Sequence, residues 1–212
     1  VEQVKEGLDW LCSLEDAHVL PTITMLQGDG ATILEKNAKW GNGRYAGFYE
    51  WDSANQKMKD ALEPGQEFVV GDFLTGIGDH TAGLTKVSQT FAITETSEHK
   101  EAASQLLDFL VNDDEGIKLL GLERGMLANS HANEVLEKEG LFENNLTYEA
   151  NQAVMAVATM NLDPNFEHSE LKDSTGVYYD VMETISNDHS KTQEMAEYLL
   201  SETERVQSEN PY

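Results

Sequence analysis

Apolar residues recur at helical spacing along much of the chain, and short polar stretches marked by glycine or proline separate them. Residues 2–17 carry Val4, Leu8 and Leu11 at i, i+4 and i+7, one face of a helix, and Pro21 fits its end. Cys12 falls on the same apolar pattern and reads as a small buried residue. A short helix is expected over 31–39, followed by a turn at Asn42-Gly43. The stretch RYAGFYEW (44–51) is aromatic and small-residue rich, and its centre reads as a buried strand. Asp52 or Ser53 is placed to cap a helix over 54–62, which Pro64-Gly65 ends. EFVV (67–70) and TFAIT (90–94) read as two more strands. Between them lies a long loop, 71–85, with Gly71, Gly76, Gly78 and Gly83.

The second half is more regular. Ser97 begins a helix whose apolar face is Ala102, Leu106, Phe109 and Leu110. Asn112 is placed to cap the next, with Glu115 at the capping-box position and Ile117, Leu119 and Leu120 leading to Gly121. Helices follow over 130–139, 147–160, 176–187 and 190–208, with a polar linker at 161–175. Roughly eight to ten helices against three or four short strands argue an α/β fold that is predominantly helical and short of strands.

Charge narrows the function. The 212 residues hold 39 Asp+Glu against 14 Lys+Arg, a formal charge of −25. A field of that sign repels phosphate backbones and anionic lipid headgroups, so no nucleic acid is expected as a partner, and anionic sugars are disfavoured. It also opposes self-association, and a monomer is expected. One cysteine excludes an intramolecular disulfide framework and a cysteine-based zinc site. No run is long enough to span a membrane. The chain opens at Val1 inside a helical pattern and without an initiator Met, which points to something upstream having been removed.

Searches for chemistry mostly fail. Gly76-Ile77-Gly78 is too short for a dinucleotide fingerprint, and there is no Walker A or Gly-x-Ser-x-Gly sequence. The six histidines are scattered and read as surface residues. Residues 163–174 begin like a calcium loop but have His168 and Ser174 where glycine and glutamate are needed. No cofactor and no metal is expected. Glu50 and Asp52 flank Trp51 and could form a hydrolytic pair, but carboxylates are abundant here and their presence alone carries little. Aromatics are more telling. Trp40, Tyr45, Phe48, Tyr49 and Trp51 fall within twelve residues, and Tyr178-Tyr179 form a second pair. Phe48 and Tyr45 read as core. Trp51, followed by Asp52, Ser53 and Asn55, suits a cleft where its flat face could stack on a sugar ring.

Three stretches resemble bacterial extracellular solute-binding proteins of the maltose-binding type. They are NGRYAGFYEWDS (42–53), the run from KVSQTFAIT through SEHKEAASQLLDFLVNDDEGIKLLGLERGML (86–127), and GVYYDV (176–181). Where that family often has Gly-Ile-Pro, this chain has Gly125-Met126-Leu127, a departure that affects a turn. The resemblance implies a periplasmic-binding-protein-like fold of type II, of which the chain would be a C-terminal fragment lacking the N-terminal part. Residues 1–88 and 162–212 would then form one lobe, and 89–161 the helical part of the other. It implies the non-enzymatic, substrate-capturing component of an ABC importer, either tethered outside a bacterium as a lipoprotein or periplasmic. Its partners would be a carbohydrate, an oligosaccharide above all, and the permease subunits in the membrane. Capture would occur in an interlobe cleft with hinge closure. By the same resemblance, Trp51 and Tyr178 would stack on sugar, Glu50, Asp52 and Ser88 would contact hydroxyls, and Lys86 would be a donor near the hinge. A glycan-active hydrolase using Glu50 and Asp52, and a helical protein-interaction module using Met155 and Met160, are the alternatives.

Overall fold

The computed structural model describes residues 1–29, 33–74, 83–86, 89–158 and 160–211. Ser88 and most of the glycine-rich 71–85 loop lie outside the described residues. By contact the chain divides into two compact units. The first is Val1–Asn37, Phe73–Lys86 and Thr159–Tyr212, and the second is Ala38–Asp72 and Val87–Ala158. Residues 38–72 thus group with 87–158, where the sequence reading groups them with 1–37. The reason is local: Asn55 and Asp52 hydrogen-bond to Leu146 and Asn151, which belong to the second unit.

In the first unit, helices α1 (Glu2–Asp16), α10 (Val177–Asn187) and α11 (Thr192–Glu209) surround one core. Leu8 and Cys12 come from α1, Val177, Val181 and Ile185 from successive turns of α10, and Ala196 and Val206 from α11. Leu171, from the short α9 (Ser169–Lys172), completes the cluster and is fully buried. Gly176 lets α10 start against α9, since a Cβ there would stand 2.8 Å from the Leu171 carbonyl carbon. Polar ties fix the ends. Thr22 caps α2 (Ile23–Gly28) by accepting from the Met25 N–H at 3.2 Å. Ser186 accepts from the Ile23 N–H and donates to Glu15 Oε1, while His189 Nε2 lies 3.2 Å from Glu15 Oε2. The unit also holds a two-residue parallel pair, β1 (Leu84–Thr85) with β2 (Met160–Asn161).

The second unit has two apolar centres. Trp40, on the short α3 (Ala38–Gly41), donates from Nε1 to the Met58 carbonyl on α4 (Asn55–Asp60) at 2.9 Å. Its ring meets Phe48 edge-on at 4.9 Å and Phe68 at 5.7 Å, so Phe48 is a packing residue as its sequence context suggests. The second centre joins α6 (Asp114–Leu120) and α7 (Ser130–Lys138) through Ile117, Leu122, Ala132, Val135 and Leu136. Phe142 and Tyr148, the latter on α8 (Leu146–Val157), stack at 4.2 Å beside it. By contrast, α5 (Lys100–Asn112) has no buried residue.

Several local expectations change. The stretches 44–51, 67–70 and 90–94 form no strand ladder among the described residues. Asp113, not Asn112, caps α6, accepting from the Glu115 N–H at 2.9 Å, because the Asn112 side chain is taken up by Asn129 at 2.6 Å. Leu119 is on the solvent side of α6, at 76% exposure. The 161–175 stretch is not a bare linker: it holds β2, a 3-10 turn at Pro164–Glu167, and α9. No described helix is long and apolar enough to cross a membrane.

Candidate ligand site around Trp51

Trp51 sits where an extended segment enters the 3-10 turn Asp52–Ala54, with φ −64° and ψ 145°. That turn runs directly into α4. Ala54, Asn55 and Met58 are buried, so the turn is pinned from below while Trp51, Asp52 and Ser53 stay half-buried. Asp52 is the fastening. Its Oδ1 accepts from the Ser53 N–H at 2.8 Å, and its Oδ2 accepts from Asn151 Nδ2 on α8 at 2.7 Å. Asn55 Nδ2 donates to the carbonyls of Asp52, at 3.0 Å, and Leu146, at 3.2 Å. Both ties hold the Trp51 turn against α8.

A second wall comes from the turn after α6. Gly125 has φ +96°, and a Cβ there would stand 3.0 Å from Ser53 Cβ. Only glycine takes that backbone at that distance without strain. The close approach brings Glu123 and Arg124 to the Trp51 turn. Together they line an open depression of about 400 Å³, with Glu50, Gln56, Lys57, Asp60 and Gln89. One aromatic face ringed by carboxylates, amides and two cations can accept from and donate to many hydroxyls at once.

The other expected residues fall differently. Glu50 is exposed and its Oε1 accepts from the Trp51 N–H at 3.0 Å. Asp52 is thus committed to Ser53 and Asn151, while Glu50, with one oxygen on the Trp51 N–H, also lines the depression. Tyr178 belongs to the first unit, on α10, half-buried against its core, with Phe166 at 5.6 Å. Burial, and then the nearby Asp163, push its phenol above the ordinary tyrosine range. Lys86, also in the first unit, is ion-paired with Glu167, as is Lys172 at 2.6 Å. Tyr49, counted in the aromatic cluster but not singled out, is 63% exposed two residues before Trp51. Its exposure is a tertiary property, and no signal in the sequence separates it from Tyr45. Among the described residues no group of histidine, cysteine, aspartate or glutamate could hold a metal ion.

No protein-family model matches the sequence, and no curated protein matches it. Solved structures do. A periplasmic solute-binding protein from Pectobacterium atrosepticum matches with a TM-score of 0.80 at 26% identity, over 98% of this chain and 51% of that one. A periplasmic oligogalacturonide-binding protein from Yersinia enterocolitica, in complex with saturated digalacturonic acid, matches at 0.80 and 23%, over 98% and 52%. A de novo designed cysteine esterase matches at 0.70 and 24%, over 98% and 51%. The chain spans about half the length of the solved proteins it matches. Over nearly all its residues it therefore has the predominantly helical fold found in about half of a periplasmic solute-binding protein.

Proposed function

We propose that this chain is part of an exported solute-binding protein that captures a carbohydrate, an oligosaccharide above all, for an ABC importer. The observation that carries the reading is the depression around Trp51, in a chain whose fold matches binding proteins, one of them holding a disaccharide acid. Trp51 supplies the stacking face, and Glu50, Gln56, Gln89 and Glu123 the hydroxyl contacts. Tyr49, exposed nearby, is a second stacking ring. Tyr178, Ser88 and Lys86 are proposed as further carbohydrate contacts, Lys86 through an ammonium that Glu167 also holds. The protein would work outside the cytoplasm, free or lipid-anchored, and hand its ligand to permease subunits.

The reading is non-enzymatic. Designed esterases share the fold, so the fold alone does not decide this. What supports it is Asp52, whose two oxygens each accept a hydrogen bond that holds a turn. A thermal-shift screen against neutral and acidic oligosaccharides tests the proposal. Ligand at a hundredfold over Kd adds about 2.7 kcal/mol, so Tm should rise by roughly 5–10 °C. Chromogenic glycosides and esters should not be turned over. Turnover that Glu50→Gln abolishes would replace this reading with a hydrolase.

A further inference from the structure

Guanidinium groups are scarce in this chain. It has three arginines, Arg44, Arg124 and Arg205, against 39 Asp+Glu. Arg205 shows what that surplus of carboxylate does to a guanidinium: it reaches Glu170, Glu202 and Glu209 at 2.7, 3.0 and 2.8 Å. Arg124 behaves differently. It is exposed and lines the Trp51 depression together with Glu50, Asp60 and Glu123, yet among the described residues it makes no hydrogen bond and no ion pair from its side chain. Two of those carboxylates are already engaged. Glu50 Oε1 accepts from the Trp51 N–H at 3.0 Å, and Asp60 Oδ1 accepts from Gln56 Nε2 at 2.8 Å. The backbone that carries Arg124 is anchored on either side. Leu122 is buried in the α6–α7 core, its carbonyl accepts from the Gly125 N–H at 3.1 Å, and Gly125 is buried against Ser53. A cation on a fixed turn, left unpaired among carboxylates, has its whole donor fork open to a ligand.

That fork matches a pair of anionic oxygens, which it takes in two parallel N–H···O bonds. A neutral sugar offers only hydroxyls, for which Glu123, Gln56 and Gln89 suffice. We propose that Arg124 is a specificity-determining residue of the depression, and that the ligand is an oligosaccharide bearing a carboxylate or sulfate group seated on the Arg124 guanidinium beside Trp51. This rests on the carbohydrate reading of the same depression and adds the charge of the ligand. The formal charge of −25 opposes an anion, and distance decides between the two effects. At 0.15 M salt, charges more than about 8 Å away are largely screened, whereas a guanidinium in contact is not. Only the lining then counts. Lys57, on α4, adds a second positive charge there, so three carboxylates face two cations. With that near balance, the direct contact to Arg124 sets the preference.

Isothermal titration at about 0.15 M salt tests it with three probes on one sugar backbone: trigalacturonic acid, its fully methyl-esterified form, and galactotriose sulfated at O6. Wild type should bind the acid or the sulfated trimer at least tenfold more tightly than the ester, and the tighter of the two identifies the anionic group. Arg124→Gln, a change at an exposed position, should bring that ratio to within about threefold. Arg124→Lys keeps the charge but loses the fork, and should restore only part of the ratio. Trp51→Ala should weaken every probe that binds. Equal binding of the ester and the charged probes by wild type would overturn the proposal and leave the carbohydrate reading standing. A preference for the charged probes that Arg124→Gln leaves intact would overturn the role of Arg124. No binding of any of the three would overturn the proposal as well. The thermal-shift screen of neutral oligosaccharides would then show whether the carbohydrate reading falls with it.

Discussion

Two glycines show how a single hydrogen atom can decide local packing. At Gly116 a Cβ would stand 1.9 Å from the Phe109 carbonyl oxygen, so α5 and α6 approach each other only because nothing is there. At Gly7, on α1, a Cβ would meet nothing within 4 Å. Gly116→Ala should therefore cost about 2–4 kcal/mol, and Gly7→Ala should gain about 0.5–1 kcal/mol. Urea unfolding of the two variants beside the wild type checks both signs. Asp52 gives a second residue-scale prediction. Asn151→Ala removes the donor to Asp52 Oδ2. It should lower stability by about 1 kcal/mol and weaken any ligand held at Trp51 by loosening its turn, as calorimetry would show. That Trp51 leads into a polar turn was legible in the sequence, because Asp52, Ser53 and Asn55 follow it. The duty of Asp52 was not, because its partner lies 99 positions away.

Elements with strong helical periodicity were read correctly and those needing distant partners were not. The apolar spacing of Val4, Leu8 and Leu11 gives α1 to within a residue, and α7, α8, α10 and α11 follow the same logic. A helix closes its own hydrogen bonds, so local sequence suffices. A strand's bonds go to another strand, and 44–51, 67–70 and 90–94 find none among the described residues despite a strand-like composition. Side-chain ties between elements are also invisible in sequence. Glu167, in the 3-10 turn before α9, is held below the ordinary carboxylate range by hydrogen bonds from Lys172 and then Lys86. Because its folded pKa is depressed, its stabilisation is full above the unfolded value of 4.5 and is lost as pH falls through the folded value. Unfolding midpoints between pH 3 and 6 should fall more steeply for wild type than for Glu167→Gln. Equal slopes would mean that these pairs contribute nothing, as is common for partly exposed ones.

At the scale of the molecule, charge outweighs individual pairs. A formal charge of −25 repels itself, and Arg205, which reaches Glu170, Glu202 and Glu209, offsets only a small part of it. The Debye length falls from about 30 Å at 0.01 M salt to about 8 Å at 0.15 M. Screening should therefore raise Tm between those concentrations, and a fall would mean that attractive pairs dominate. The same charge was the clearest global fact in the sequence, and it argues against nucleic acid and anionic surfaces as partners.

The central claim is that the depression around Trp51 binds a sugar, and isothermal titration with the oligosaccharide chosen by the thermal screen tests it most directly. Wild type should bind at one site, and Trp51→Ala should bind at least tenfold more weakly, about 1.4 kcal/mol, with its fold intact by circular dichroism. Equal binding by the two proteins would contradict the site, and no binding of any oligosaccharide by wild type would contradict the function.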